Sequence, residues 1–294
     1  MASRHAITRI EVVVILVLFF VVVAIVVIGM SRGRGESRKQ KDGDQLRYLH
    51  QGLVVSCRGG GDDYPIPSRL DRANYVIDAE AATKDTTANM FSFMVFGGTI
   101  KPEHLISPCE INKNIVPRVN YEYDHPSGAA NPIQAMWDPK LSAALDGSQP
   151  GNISYAHMQL FQGRRAKWTA SFSASEAVLA NRGPEISSLT RAGSAVTPTL
   201  ANPASNSLRF YGSGRTWSGW AAFNDNHVDF RSDYLKQGRE FAANDEMKYT
   251  NDVGKQMPDI WCYDELDDSK AANDYIGIFL QAGAKREDWK AAWD

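Results

Sequence analysis

The side chains with which this chain of 294 residues could do chemistry are six histidines, three cysteines and 34 carboxylates. His5, His50, His104, His125, His157 and His227 never fall into HExxH or another metal-ligand spacing. No GxSxG, Walker A or GxGxxG pattern occurs, and the nearest glycine pair, Gly212-Ser213-Gly214, reads as a turn. Asp62 and Asp63 are adjacent in a glycine-rich loop, so their carboxylates diverge and do not form an acid–base pair across a substrate. These residues argue against an enzyme.

A divalent cation has a better case. Asp259, Asp264, Glu265, Asp267 and Asp268 gather around Trp261, and calcium takes six to eight oxygens from carboxylates, carbonyls and water. Asp264, Asp267 and Asp268 are the candidate ligands, although no EF-hand spacing is present and a solvated acidic face has the same composition. No other cofactor is implied.

The carboxylate that stands out is Glu11, because it opens the apolar run from Ile7 to Met30 and no charge follows it from Val12 to Met30. At about 1.5 Å per residue, a helix of that length matches the ~30 Å hydrocarbon core of a bilayer, so a transmembrane helix is expected. A secretory signal is the competing reading, with Arg4, His5 and Arg9 as its basic flank. The apolar run is longer than such signals carry, and SRGRGESRKQK after it lacks a small-x-small cleavage pattern. Charge alone points the other way on orientation: Arg32, Arg34, Arg38, Lys39 and Lys41 after the run would keep the large domain in the cytoplasm.

A carboxylate at the edge of an apolar helix is either wet or needs a positive partner. Ala6, followed by Ile7-Thr8-Arg9-Ile10-Glu11 and the apolar run, resembles the N-terminus of type IV prepilins and type II secretion pseudopilins. The resemblance implies a leader of residues 1–6, cut by a prepilin peptidase between Ala6 and Ile7, with methylation of the new amine at Ile7. It also implies that Glu11 neutralises the N-terminus of a neighbouring subunit during assembly, and that the head lies outside the cytoplasmic membrane. Ala6, Ile7 and Arg9 each depart from the family's usual residue. Major pseudopilins hold calcium in a C-terminal loop, which adds to the case for Asp264, Asp267 and Asp268.

Three further stretches are similar to a large family of bacterial pilin-like proteins of unknown function. They are Asp62-Asp63-Tyr64-Pro65-Ile66-Pro67, Asn152-Ile153-Ser154-Tyr155 and Asn181-Arg182-Gly183-Pro184. The family's C-terminal signature, a His, nine residues, then Asp-Gly, is met by Asp225-Asn226-His227 with Asn in place of Gly and Arg215 in place of the His. Read without the family, Trp220 and Ala222 alternate into Val228 and Phe230 around Asp225-Asn226, a pair suited to φ > 0, so a tight β-hairpin is expected there.

Composition bounds the remainder. With 43% hydrophobic and 22% charged residues, the part after the apolar run can bury a core. A net charge of -2 gives no electrostatic footprint for nucleic acid. Cys57, Cys109 and Cys262 allow at most one bridge and leave its pair open. Residues 31–43, with three glycines, read as a flexible linker, and the head occupies residues 44–294.

Within the head, Leu46, Leu49, Leu53 and Val54 predict a helix over 44–58. Residues 59–230 read as β-rich, with runs at 90–96, 116–123, 153–162, 168–172 and 208–211 and polar loops at 124–132 and 197–207. Residues 231–294 form a C-terminal lobe ending in an amphipathic helix that carries Trp289 and Trp293.

The fold class expected is therefore α+β, a long N-terminal transmembrane helix followed by a β-rich, pilin-like head with an antiparallel sheet. The function expected is a structural subunit of a type IV pilus or type II secretion-like system, single-pass in the inner membrane. Its partners would be itself or other pilin-like subunits, the prepilin peptidase and the membrane. The alternative is a permanently anchored single-pass envelope protein whose head binds a partner or glycan.

Overall fold

The computed structural model describes residues 9–57, 63–192, 195–211, 214–231, 240–241, 247–250, 256–258, 261 and 274–294. The chain divides into two compact units, Met1–Lys41 and Asp42–Asp294.

Helix α1, Arg9–Val55, supplies the first unit and opens the second. It runs through residues 31–43, so the expected linker is helical. Gly33 and Gly35 each cost about 1 kcal/mol relative to Ala, too little to break a helix this long. In the first unit the side chains from Ile10 to Val26 are all exposed, from 40% at Val23 to 76% at Ile10.

That stretch corrects the transmembrane expectation. Among the described residues no helix is long and apolar enough to cross a membrane. The single-pass, inner-membrane assignment that rested on the span is withdrawn with it.

The second unit starts with the last turns of α1, where Leu46, Leu49 and Leu53 are fully buried on one face. A short helix α2 (Pro67–Leu70) and helix α3 (Thr87–Phe96) follow. The run at 90–96, expected as a strand, is thus helical. The Thr86 side chain caps it by accepting from the Asn89 N–H, and a short apolar run buried on all sides has no periodicity to separate helix from strand.

The main sheet is antiparallel and five-stranded. Its strands are β1 (Tyr155–Met158), β2 (Ala177–Asn181), β5 (Gly219–Phe223), β6 (Val228–Arg231) and β10 (Ile276–Gly277), in the order β10-β1-β2-β5-β6. Helix α4 (Gln162–Lys167) separates β1 from β2. Smaller antiparallel sheets pair β3 (Ile186–Ala192) with β4 (Ala195–Leu200), and β7 (Glu240–Phe241) with β8 (Met247–Thr250) and β9 (Gln256–Pro258). The chain closes by pairing β11 (Phe279–Gln281) with β12 (Lys290–Ala291).

Other runs expected as strands have different forms. Residues 116–123 are irregular after a single bridge, Ile115 to Gly151; Pro117 lacks an N–H for a ladder. Among the described residues, 168–172 make only the bridge between Asp63 and Thr169, and residues 206–209 form a 3-10 turn. The polar segment 197–207 begins inside β4. The terminal amphipathic helix is instead a 3-10 turn, Arg286–Asp288, leading into β12. Trp289 packs edge-on to Phe279 and donates to the Gly283 carbonyl.

Candidate functional site

Two parts of α1 carry the candidate site: an exposed apolar stretch in the first unit, and a polar face in the second that ties the helix to the main sheet.

In the first part, Glu11 lies in the first turn of α1 and is exposed. A carboxylate there is favoured by the helix dipole. Eight of the residues from 10 to 26 are valines, which lose side-chain freedom in a helix and rank low in helix propensity. A short helix of such residues is marginal in water unless its side chains are buried against something. Ala6 and Ile7, the expected processing residues, lie outside the described residues.

In the second part, Asp42 is fully buried and accepts from three elements. The Tyr155 hydroxyl of β1 donates to it at 2.5 Å and the Asn181 amide of β2 at 2.9 Å. The Tyr211 hydroxyl also donates to it, and Ser107 completes the cage. Burial pushes the Asp42 carboxyl above the usual carboxylate range, against the pull of these four donors. About one turn on, the Gln45 amide donates to the carbonyls of His104 and Ile106.

Further along, His50 is also fully buried. Its Nδ1 is 3.0 Å from the Asn226 Oδ1, and its Nε2 is 3.0 Å from the Tyr64 hydroxyl. That hydroxyl donates to the Asn224 Oδ1 at 2.8 Å. Burial lowers the His50 pKa, while Asn226 and Asp225 pull it upward.

The Asp225-Asn226-His227 signature is the turn of the β5–β6 hairpin. Asn226 takes φ +67, the left-handed conformation for which its residue type was singled out, and its N–H donates to the Phe223 carbonyl. The Asp225 carboxylate receives both the backbone N–H and the ring of His227, whose imidazole stacks on Phe223 with centroids 4.2 Å apart. Burial pushes Asp225 upward, but the contacts with His227 hold it below the usual range.

The structure brings this signature together with Tyr64 of the Asp62–Pro67 stretch and with His50 and Asn224, which sequence reasoning did not select as site residues. Arg215 stands where the family's His would be, and an imidazole nonetheless reaches the turn, from α1. Only proximity in space, 176 residues apart, reveals it.

The calcium candidates Asp264, Asp267 and Asp268 lie outside the described residues. Among the described residues no group of three or more His, Cys, Asp or Glu is placed to hold a metal ion. Cys57 is half-buried and Cys109 buried, while Cys262 lies outside the described residues.

Elsewhere in the second unit, Arg182 of the Arg-Gly-Pro stretch is buried between two carboxylates. Its guanidinium donates twice to Glu110, at 2.8 and 3.0 Å, and pairs with Asp294 at 2.7 Å. A carbon on Gly183 would collide with the Trp261 ring, which accounts for the glycine of that stretch. No protein-family model, curated protein or solved structure matches the chain.

Proposed function

We propose that this protein is a pilin-like structural subunit that assembles with copies of itself or similar subunits through the N-terminal part of α1. One observation carries the reading: from Ile10 to Val26 every side chain is exposed and all but Glu11 are apolar. Monomeric soluble proteins expose apolar patches of roughly 300–600 Å² at most, and larger ones mark interaction surfaces. The low helix propensity of the valines adds to it, since helical structure there needs burial that other subunits would supply.

The similarity of residues 6–11 to a prepilin processing site supports the same reading and assigns Glu11 as the charge that pairs with a neighbour's N-terminus. Asp42 and His50 then have a mechanical role: they fasten α1 to the sheet so that the second unit is carried wherever the helix assembles.

The test is crosslinking and sedimentation of the full chain. Glu11→Ala is expected to reduce incorporation into high-mass assemblies while leaving the circular dichroism of the second unit unchanged. Unaltered assembly in that variant, or a monodisperse monomer in the parent, would overturn the reading. Mass spectrometry of the N-terminus tests processing separately, with a chain starting at methylated Ile7 as the expected product.

A further inference from the structure

Outside the α1 network, Lys84 is a buried amine. It closes a short loop with Asp71 and Asn74 and has no part in assembly. Its residue is 1% exposed, as is Asp71. The ammonium Nζ is 2.8 Å from the Asp71 Oδ2, 2.6 Å from the Asp71 carbonyl and 2.6 Å from the Asn74 Oδ1.

The Asp71 carboxylate is held in place by the N–H groups of Tyr75, Val76 and Ile77. Asn74 is held by a left-handed backbone, φ 58, and by donation from its Nδ2 to Asp78 at 3.1 Å. A buried lysine amine and a buried carboxylate are therefore preassembled with a half-buried carboxamide.

We propose that this is a self-processing site at which Lys84 and Asn74 join through an intramolecular isopeptide bond, with Asp71 as the proton carrier. Asp71 Oδ2 takes a proton from the Lys84 ammonium. The freed Nζ lone pair attacks Asn74 Cγ, forming the Nζ–Cγ bond. Asp71 returns the proton to Nδ2, the Cγ–Nδ2 bond breaks and ammonia leaves, while Asp71 takes the second proton from Nζ, so that a neutral amide and a protonated Asp71 remain. Atoms and charge balance with no further reactant, and nothing is oxidised or reduced.

Proximity supplies the rate. Groups held in contact reach effective molarities of about 10⁵ M or more, and a reaction needed once in the life of the protein has no requirement for speed. The product would lock the loop between residues 74 and 84 against α3, whose first turn is tied to it by the Asn89 amide donating to the Lys84 carbonyl at 2.8 Å.

Intact-mass measurement of the purified full chain, followed by tryptic mapping, tests the proposal. The expected result is a mass about 17 Da below that of the sequence, through loss of ammonia. Lys84 is then resistant to trypsin and sits in one looped peptide with Asn74. Asp71→Asn and Lys84→Arg are expected to restore the full, uncrosslinked mass.

A full mass in the parent with ready cleavage after Lys84 overturns the proposal, whether or not the variants fold. So does a 17 Da loss that maps to a succinimide between Asn74 and Tyr75 while Lys84 remains cleavable.

Discussion

The Tyr155 hydroxyl donates to the Asp42 carboxylate at 2.5 Å, joining the second strand of the main sheet to α1 across 113 residues of chain. Phenols, an amide and a hydroxyl satisfy this carboxylate. It is the central tie between the helix and the fold that the helix carries.

Asp42→Ala should therefore cost more than a surface carboxylate would. It leaves the Tyr155, Tyr211 and Asn181 donors buried without their acceptor, at about 1–3 kcal/mol each, so a loss of roughly 3 kcal/mol or more is expected in urea unfolding. Asp42→Asn keeps the shape and should cost less. A change under about 0.5 kcal/mol in both would show that the cage does not hold α1.

The pH dependence of stability should carry a signature of His157. Its ring is buried between Phe91, Trp168 and Phe279, Nδ1 donates to the Met158 carbonyl at 2.7 Å, and Nε2 has no hydrogen-bond partner among the described residues. Burial lowers its pKa from 6.5 to about 4. Between those values the unfolded chain binds the proton and the folded one does not. The contribution is thus present above pH 6.5 and is lost as pH falls through about 4. Its full size is on the order of 3 kcal/mol. His157→Phe should flatten this part of the profile, and an unchanged slope would contradict the assignment. Asp42, with its raised pKa, acts in the opposite sense: its contribution is present below 3.8 and is lost as pH rises through the folded value.

Asn226 separates backbone strain from hydrogen bonding. Asn226→Gly loses the bond to His50 but keeps the left-handed φ at little steric cost. Asn226→Ala loses the bond and adds roughly 1 kcal/mol of strain. Thermal unfolding should rank parent, Gly and Ala in that order of decreasing stability, and an Ala variant as stable as Gly would remove the conformational argument.

A chain lacking residues 1–33 should keep the second unit folded, since Asp42 and His50 and their partners all remain. It should lose high-mass association, because residues 10–26 are gone. Size-exclusion chromatography with light scattering measures this, and persistent association would place the contact surface in the second unit.

The residues that legibly encode structure are those whose physics is local. Leu46, Leu49 and Leu53 announce a buried helix face by spacing alone, and Asp225-Asn226 between alternating apolar residues announces a hairpin, because a turn needs only a few residues able to take its dihedral angles. The apolar run that begins at Ile10 declares a surface that must be covered, and Glu11 declares a charge at its edge. Neither says what covers it.

What tertiary structure decided is of a different kind. The run at 90–96 became a helix because burial on all sides left no periodicity to read, and Trp289 went to the edge of a strand because Phe279 was there to meet it. His50 reaches Asn226, and Asp42 lies between Tyr155 and Tyr211, through contacts more than 100 residues apart. A buried polar group takes whatever partner the fold brings to it, and its own neighbours in sequence carry no record of that partner.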